Sequence, residues 1–187
     1  MSICQQLRRF ARREDGGAAI EITFIFPLMM MMLFGLFDAA LLLSDYRKVN
    51  YAAQVVGNDV IRLQSPTTST EVQDAFSAAE IMMRATLADD ARVEVYGFQR
   101  NDPNPVPVLR WDMNNGVGEP CGPPNEAALG NLMADGNDVV ISVVCARHEP
   151  IVSSFFGEAF VGQMEFMLRR QIAMRPRAGN FLECPDC

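Results

Sequence analysis

Few residues of this 187-residue chain could do chemistry, and they form no recognisable catalytic pattern. His148 is the only histidine, and the adjacent Glu149 makes a general-base pair the first enzymatic hypothesis to test. The sequence contains no Gly-x-Ser-x-Gly, phosphate-loop or His-Glu-x-x-His motif that would support this hypothesis. We therefore interpret His148 as a loop histidine that follows a strand, and we predict no catalytic residue, no cofactor and no enzymatic activity.

The cysteines are the second candidates. One of them, Cys4, lies in a basic N-terminal stretch, and the others are Cys121, Cys145, Cys184 and Cys187. Four cysteines in an oxidising compartment favour structural disulfides, with three possible pairings. A zinc site is disfavoured because Cys121 and Cys145 are too far apart to supply a second close ligand pair. The Cys-Pro-Asp-Cys run at 184–187 has redox spacing, but redox motifs open a helix after a strand. We predict disulfides and no metal site.

Glu21 is the most unusual candidate, because it lies in an apolar run. From 22 to 37 the only polar side chain is Thr23, and Asp38 is the next charged residue. About 20 apolar residues suffice to cross a bilayer, so we predict a transmembrane helix over residues 17–43. A carboxylate in such a helix is costly. Glu21 therefore either reaches the cytoplasmic interface or needs a positive partner, such as the amino terminus of a neighbouring chain.

Charge predicts the orientation of this helix. Its N-terminal flank carries four arginines, namely Arg8, Arg9, Arg12 and Arg13. They predict a cytoplasmic leader over residues 1–16 and a translocated periplasmic domain over residues 44–187. A cleaved secretory signal is disfavoured because no Ala-x-Ala-like site follows Leu43. The net charge of the whole chain is −7, which argues against nucleic acid as a ligand.

The helix continues beyond the predicted membrane segment. Apolar residues recur at helical spacing at Val49, Ala53, Val56, Val60 and Leu63. We therefore predict one helix over about residues 18–64, lipid-embedded at first and then packed on a domain. Pro27 would clash with the carbonyl of Thr23, so we expect a kink or local melting there. The run Met29–Met32 is not a soft-metal site, because adjacent helical side chains point in different directions.

The remaining sequence predicts an α+β domain. A capping box formed by Thr70 and Gln73 would start a second helix that ends near Asp89. Strands are predicted at 92–96, 108–113, 138–145 and 164–174, with a short helix at 125–133 and loops at 101–105 and 114–124. We expect one or two further helices packed on a three- to four-stranded antiparallel sheet, with Phe155 and Phe156 buried over it.

The N-terminal third resembles the start of TadE-like proteins, the minor pseudopilins of the tight-adherence (Tad/Flp) pilus system. The resemblance is carried by Gly17, Ala19, Glu21, Pro27, Leu28, Gly35 and Asp38. Later runs such as Val-Val-Ile-Ser-Val-Val-Cys, His-Glu-Pro-Ile and Phe-Phe-Gly also resemble the C-terminal strands of the family.

The resemblance implies an inner-membrane protein that takes part in pilus assembly. It implies cleavage by a prepilin-type peptidase between Gly16 and Gly17, which makes Glu21 the fifth mature residue. Ile22 departs from the aromatic residue usual after that glutamate. The implied partners are the prepilin peptidase and other pilin or pseudopilin subunits, with no nucleic acid and no small-molecule substrate. The alternative is an uncleaved single-pass (TadG-like) protein that presents a periplasmic binding or scaffold domain.

Overall fold

A computed structural model describes residues 15–83, 90–100, 107–133, 138–152, 165–177 and 182–187. The helices are α1 (Asp15–Val60), α2 (Ser69–Met83) and a 3-10 turn (Glu126–Leu129) that leads into the short α3 (Gly130–Met133). The strands are β1 (Arg92–Arg100), β2 (Pro107–Asn114), β3 (Val139–His148) and β4 (Phe166–Met174). They form one antiparallel sheet in the order β2-β1-β3-β4. The predicted α+β class and the four-stranded sheet are confirmed.

The chain divides into two compact units, and α1 contributes to both. The first unit contains residues 1–40 and 151–163, and the second contains residues 41–150 and 164–187. In the first unit α1 continues through Pro27 as a single element, so the local melting expected at this proline does not occur. A bend at Pro27 stays a prediction.

In the second unit, one face of the sheet packs against α1 and α2. The fully buried helical residues are Val49, Ala52, Ala53, Val56 and Val60 of α1 and Val72, Ala79 and Met83 of α2. They share a core with sheet residues such as Val93, Val95 and Val144. The apolar stripe predicted for α1 is therefore confirmed from Val49 to Val60, whereas Leu63 lies beyond the end of this helix.

The other face of the sheet is covered by the segment between β2 and β3. Cys121, Leu129 and Met133 from this segment pack against the alternate β3 residues Ile141 and Val143. Because β3 is covered on both faces, almost all of its residues are buried, which explains its near-continuous apolar sequence. The predicted loop and short helix at 114–133 therefore form part of a core, which the sequence interpretation did not anticipate.

A glycine permits the packing of the only tryptophan. Gly97 of β1 lies opposite Trp111 of β2, and a Cβ atom at Gly97 would overlap the indole ring. Trp111 Nε1 donates a hydrogen bond to the Leu182 carbonyl at 2.7 Å. This contact holds the buried Leu182 side chain, and with it the start of the C-terminal segment, against the sheet.

Three boundary predictions need correction. The capping box of α2 is formed by Thr68 and Glu71: the Thr68 amide donates to the Glu71 carboxylate, and the Glu71 amide donates to Thr68 Oγ1. The predicted box at Thr70 was wrong because Ser69 already begins the helix. Strands β1 and β3 extend further than predicted, since cross-strand pairing continues past the alternating apolar pattern. The predicted loop 101–105, Phe155 and Phe156 lie outside the described residues.

Candidate functional site

The first candidate is the start of α1. The helix begins at Asp15, so the Gly16-Gly17 bond predicted to be cleaved lies within its first turn. Glu21 follows one turn later, and its side chain is exposed. Within the described part of the chain, the Glu21 carboxylate makes no hydrogen bond or ion pair. The predicted positive partner, the amino terminus of a neighbouring chain, stays a prediction.

The surface around Glu21 is apolar on every side of the helix. Ile22, Phe24 and Ile25 are 64%, 78% and 53% exposed, although they point in different directions around α1. A helix that is apolar all round and unburied in its own chain is typical of a lipid environment. Among the described residues, α1 is the one helix long and apolar enough to cross a membrane, judged by length and composition.

Asp38 ends this apolar segment with a specific contact in the first unit. Its Oδ1 accepts a hydrogen bond from the Ile151 amide at 2.9 Å, and its Oδ2 accepts one from the Val152 amide at 2.8 Å. The carboxylate is half-buried. Sequence reasoning treated Asp38 as an interruption and missed this role, which no local pattern signals because the partners are 113 and 114 residues away.

The second unit contains a buried acid–histidine pair. Asp45 Oδ2 lies 2.8 Å from His148 Nδ1, and both residues are 6% exposed. Lys48 Nζ lies 3.2 Å from the other Asp45 oxygen. His148 is thus the last residue of β3 rather than a loop residue, and its partner is Asp45 rather than the exposed Glu149.

The geometry of this pair indicates a structural role. His148 Nε2, the atom that would face a substrate, is buried and has no hydrogen-bond partner within the described residues. A general base must reach the proton that it abstracts, and this atom is buried. We therefore assign Asp45 and His148 to fixing the end of β3 against α1.

The four cysteines of the second unit form two disulfides. Cys121 pairs with Cys145 and Cys184 pairs with Cys187, with Cα–Cα distances of 5.6 and 5.4 Å. The first disulfide joins the segment that covers the outer sheet face to β3. Beside the second, Asp186 accepts hydrogen bonds from the Ser69 amide at 3.1 Å and the Ser69 hydroxyl at 2.9 Å. Sulfur atoms joined in a disulfide are not thiolate metal ligands.

A network of charged and polar side chains lies beneath the segment between β2 and β3, which we call the covering segment. Arg92, Glu94 and Tyr96 point to the same face of β1, because alternate strand residues share a face. Glu94 is 4% exposed, and its carboxylate accepts from Arg92 Nε at 2.6 Å, the Tyr96 hydroxyl at 2.9 Å and the Cys121 amide at 3.3 Å. Burial, followed by the hydrogen bond to Glu94, raises the pKa of Tyr96 to about 12. The alternating sequence predicted the shared face but not its burial.

The apolar helix and the second unit together indicate a class of protein. One long apolar N-terminal helix and a disulfide-linked α+β unit fit a single-pass membrane protein. The family model of TadE-like proteins matches residues 16–57, which is nearly all of α1. Over this segment the chain is similar to TadE-like proteins. No curated protein and no solved structure matches the chain.

Proposed function

We propose that this protein is a minor pseudopilin that takes part in assembling a Tad pilus. In this proposal residues 17–43 span the inner membrane, residues 1–16 form a cytoplasmic leader and residues 44–187 lie in the periplasm. A prepilin-type peptidase cuts between Gly16 and Gly17. The observation that carries the proposal is the exposed Glu21, which has no partner among the described residues and lies in an apolar helix that matches the TadE-like family.

Helix geometry supports the role of Glu21. The carboxylate lies one turn, about 6 Å, beyond the amine that cleavage would create at Gly17. A neighbouring helix displaced by one turn along the axis would therefore place its terminal amine beside Glu21. Such a pair would neutralise both charges in a medium where an isolated charge is expensive. Assembly then supplies a positive partner for the Glu21 carboxylate.

Sequencing the mature N-terminus is the direct test. We expect protein isolated from membranes to begin Gly-Ala-Ala-Ile-Glu, with residues 1–16 removed. Isolation from cells that lack the peptidase provides the control and should give the full-length chain. Mature protein that still begins at Met1 in peptidase-positive cells would reject cleavage. That result would favour the uncleaved single-pass scaffold instead.

A charge variant tests the assembly role separately. We expect Glu21→Gln to insert into the membrane and to undergo cleavage, but to reduce piliation, because a neutral amide cannot neutralise a terminal amine. Ile22→Ala is the matched control, since it changes the adjacent exposed residue without changing charge. Normal piliation in Glu21→Gln would show that Glu21 only reaches the interface.

A further inference from the structure

The contact between Asp38 and the chain at residues 151–152 has a consequence for membrane binding. Asp38 is the next charged residue after Glu21 and lies 17 positions further along the helix. A rise of about 1.5 Å per residue places them about 26 Å apart, close to the roughly 30 Å thickness of a bilayer hydrocarbon core. When Glu21 lies at one boundary of the hydrocarbon, Asp38 lies at the other.

At that boundary the Asp38 carboxylate and the two backbone amides satisfy each other's hydrogen-bonding requirements. A carboxylate near hydrocarbon needs hydrogen-bond donors, and both oxygens of Asp38 have them. The backbone amides of Ile151 and Val152 need acceptors, because an unpaired amide is costly wherever water is scarce. Bonds from two consecutive amides to one carboxylate also fix the position of this backbone relative to α1, and such charge-assisted bonds are strong.

The hydrogen bonds therefore give Ile151 the same depth as Asp38. The Ile151 side chain is 38% exposed, and that of Phe37 beside Asp38 is 56% exposed. Both apolar surfaces thus lie in the first unit at the level of the Asp38 carboxylate.

We propose that Ile151 forms a second membrane contact, held by Asp38 at the boundary between the hydrocarbon and the head groups on the far side from Glu21. The occupant of this surface is the bilayer, because the surface continues the exposed apolar side of α1 and shares the depth at which that side ends. This inference depends on the membrane placement of α1 proposed above. Asp38 acts as a positioning residue that holds the backbone at residues 151–152 against the bilayer.

Depth-dependent fluorescence quenching tests the proposal on the full-length protein in phospholipid vesicles. A Cys4→Ser background leaves only disulfide-bonded cysteines, so an added Ile151→Cys can carry a single NBD label. We expect nitroxide lipids labelled near the head group to quench this NBD more than lipids labelled near the chain end. Aqueous iodide should quench it poorly. Phe37→Cys carrying the same label reports the depth of α1 itself.

Substitution of Asp38 completes the test. Asp38→Ala should abolish lipid quenching of the label at position 151 and increase its quenching by iodide, while the label at position 37 stays quenched by lipid. Val152→Cys provides a second labelling position should the label at 151 disturb folding. If the label at 37 is quenched by lipid but the labels at 151 and 152 are quenched only by iodide, the inference is wrong and the span stands. If the label at 37 is itself accessible to iodide, the membrane placement is wrong.

Discussion

Helix α1 runs through two regions that differ in how its apolar side chains are exposed. In the first unit most of its described apolar side chains are exposed, as Phe24 and Leu36 show. In the second unit its apolar side chains occupy one stripe, where Val49 and Val56 are fully buried while Tyr51 is 58% exposed. The first pattern is typical of a helix in lipid, and the second is typical of a helix that has water on one side.

The two patterns show that apolar residues have opposite tasks along α1. In the stripe they stabilise the unit through burial against α2 and the sheet, as expected for the hydrophobic effect. In the first region most of the described apolar side chains are exposed instead. Their exposure instead matches an apolar solvent. Substitutions in the two regions should therefore change different measured quantities.

The largest expected effect comes from charge in the first region. We expect Met29→Arg combined with Leu33→Arg to release the protein from membranes, because each central arginine costs about 2.5–3.5 kcal/mol on insertion. Both side chains are exposed and belong to the apolar run. Resistance to alkaline extraction measures the effect.

A matched pair in the second region provides the control. Tyr51→Arg with Gln54→Arg places the same two charges on exposed positions of the same helix. It should leave extraction and the unfolding of the second unit unchanged. Equal loss of membrane retention by both pairs would contradict the assignment of lipid to the first region alone.

Disulfide removal should affect only the second region, and by different amounts for the two bonds. Cys121 and Cys145 are 24 positions apart, whereas Cys184 and Cys187 are three apart. Chain entropy therefore predicts losses of about 3.5 and about 2 kcal/mol on replacing each pair with alanine.

Urea unfolding followed by Trp111 fluorescence measures both losses, since Trp111 is buried in the second unit. Neither replacement should alter alkaline extraction. A larger loss from the 184–187 pair would show that the C-terminal segment, rather than the covering segment, limits the stability of this unit.

Two glycines in α1 provide a more sensitive comparison. A Cβ atom at Gly57 would lie 3.1 Å from Ser142 Oγ and 3.2 Å from Met174 Sδ, whereas one at Gly35 would meet nothing within 4 Å. Ser142 Oγ donates a hydrogen bond to the Ala53 carbonyl at 2.7 Å. Strand β3 therefore already lies close to α1, and the space beside Gly57 is filled. We expect Gly57→Val to lower the free energy of unfolding by about 1–3 kcal/mol through overpacking.

Gly35→Val serves as the control and should leave the same unfolding curve unchanged. Unaltered unfolding in Gly57→Val would mean that the helix and the sheet can move apart without cost. A loss of piliation in Gly35→Val despite normal unfolding would indicate that Gly35 contacts another subunit, since small residues permit close helix packing in membranes.

The success of the sequence interpretation followed the range of the interactions. Local periodicity was sufficient for α1, α2 and the apolar strand β3, because each pattern repeats within a few residues. It was insufficient for the Asp38 and His148 contacts, whose partners are more than 100 residues away. It also missed the second core, because a segment rich in glycine and proline has no period although Cys121 and Leu129 are buried.

The smallest expected effect concerns the start of α2, where the sequence placed the cap two residues too late. Thr68→Ala should lower the stability of the second unit by about 1 kcal/mol, as is usual for loss of a cap. Thr70→Ala is the control, because Thr70 lies past the cap and is exposed. Equal losses in the two variants, measured by urea unfolding, would support the originally predicted box.

The same cap makes stability depend on pH. Hydrogen bonds from the Thr68 amide and then from the Thr67 hydroxyl lower the pKa of Glu71 below its ordinary value of 4.5. A depressed pKa in the folded state stabilises the protein above pH 4.5, and this stabilisation disappears as the pH falls through the folded value. Wild type should therefore melt above Glu71→Gln at pH 7, with the difference in Tm shrinking in acid. A difference that persists at pH 2 would assign the effect to packing rather than to the carboxylate charge.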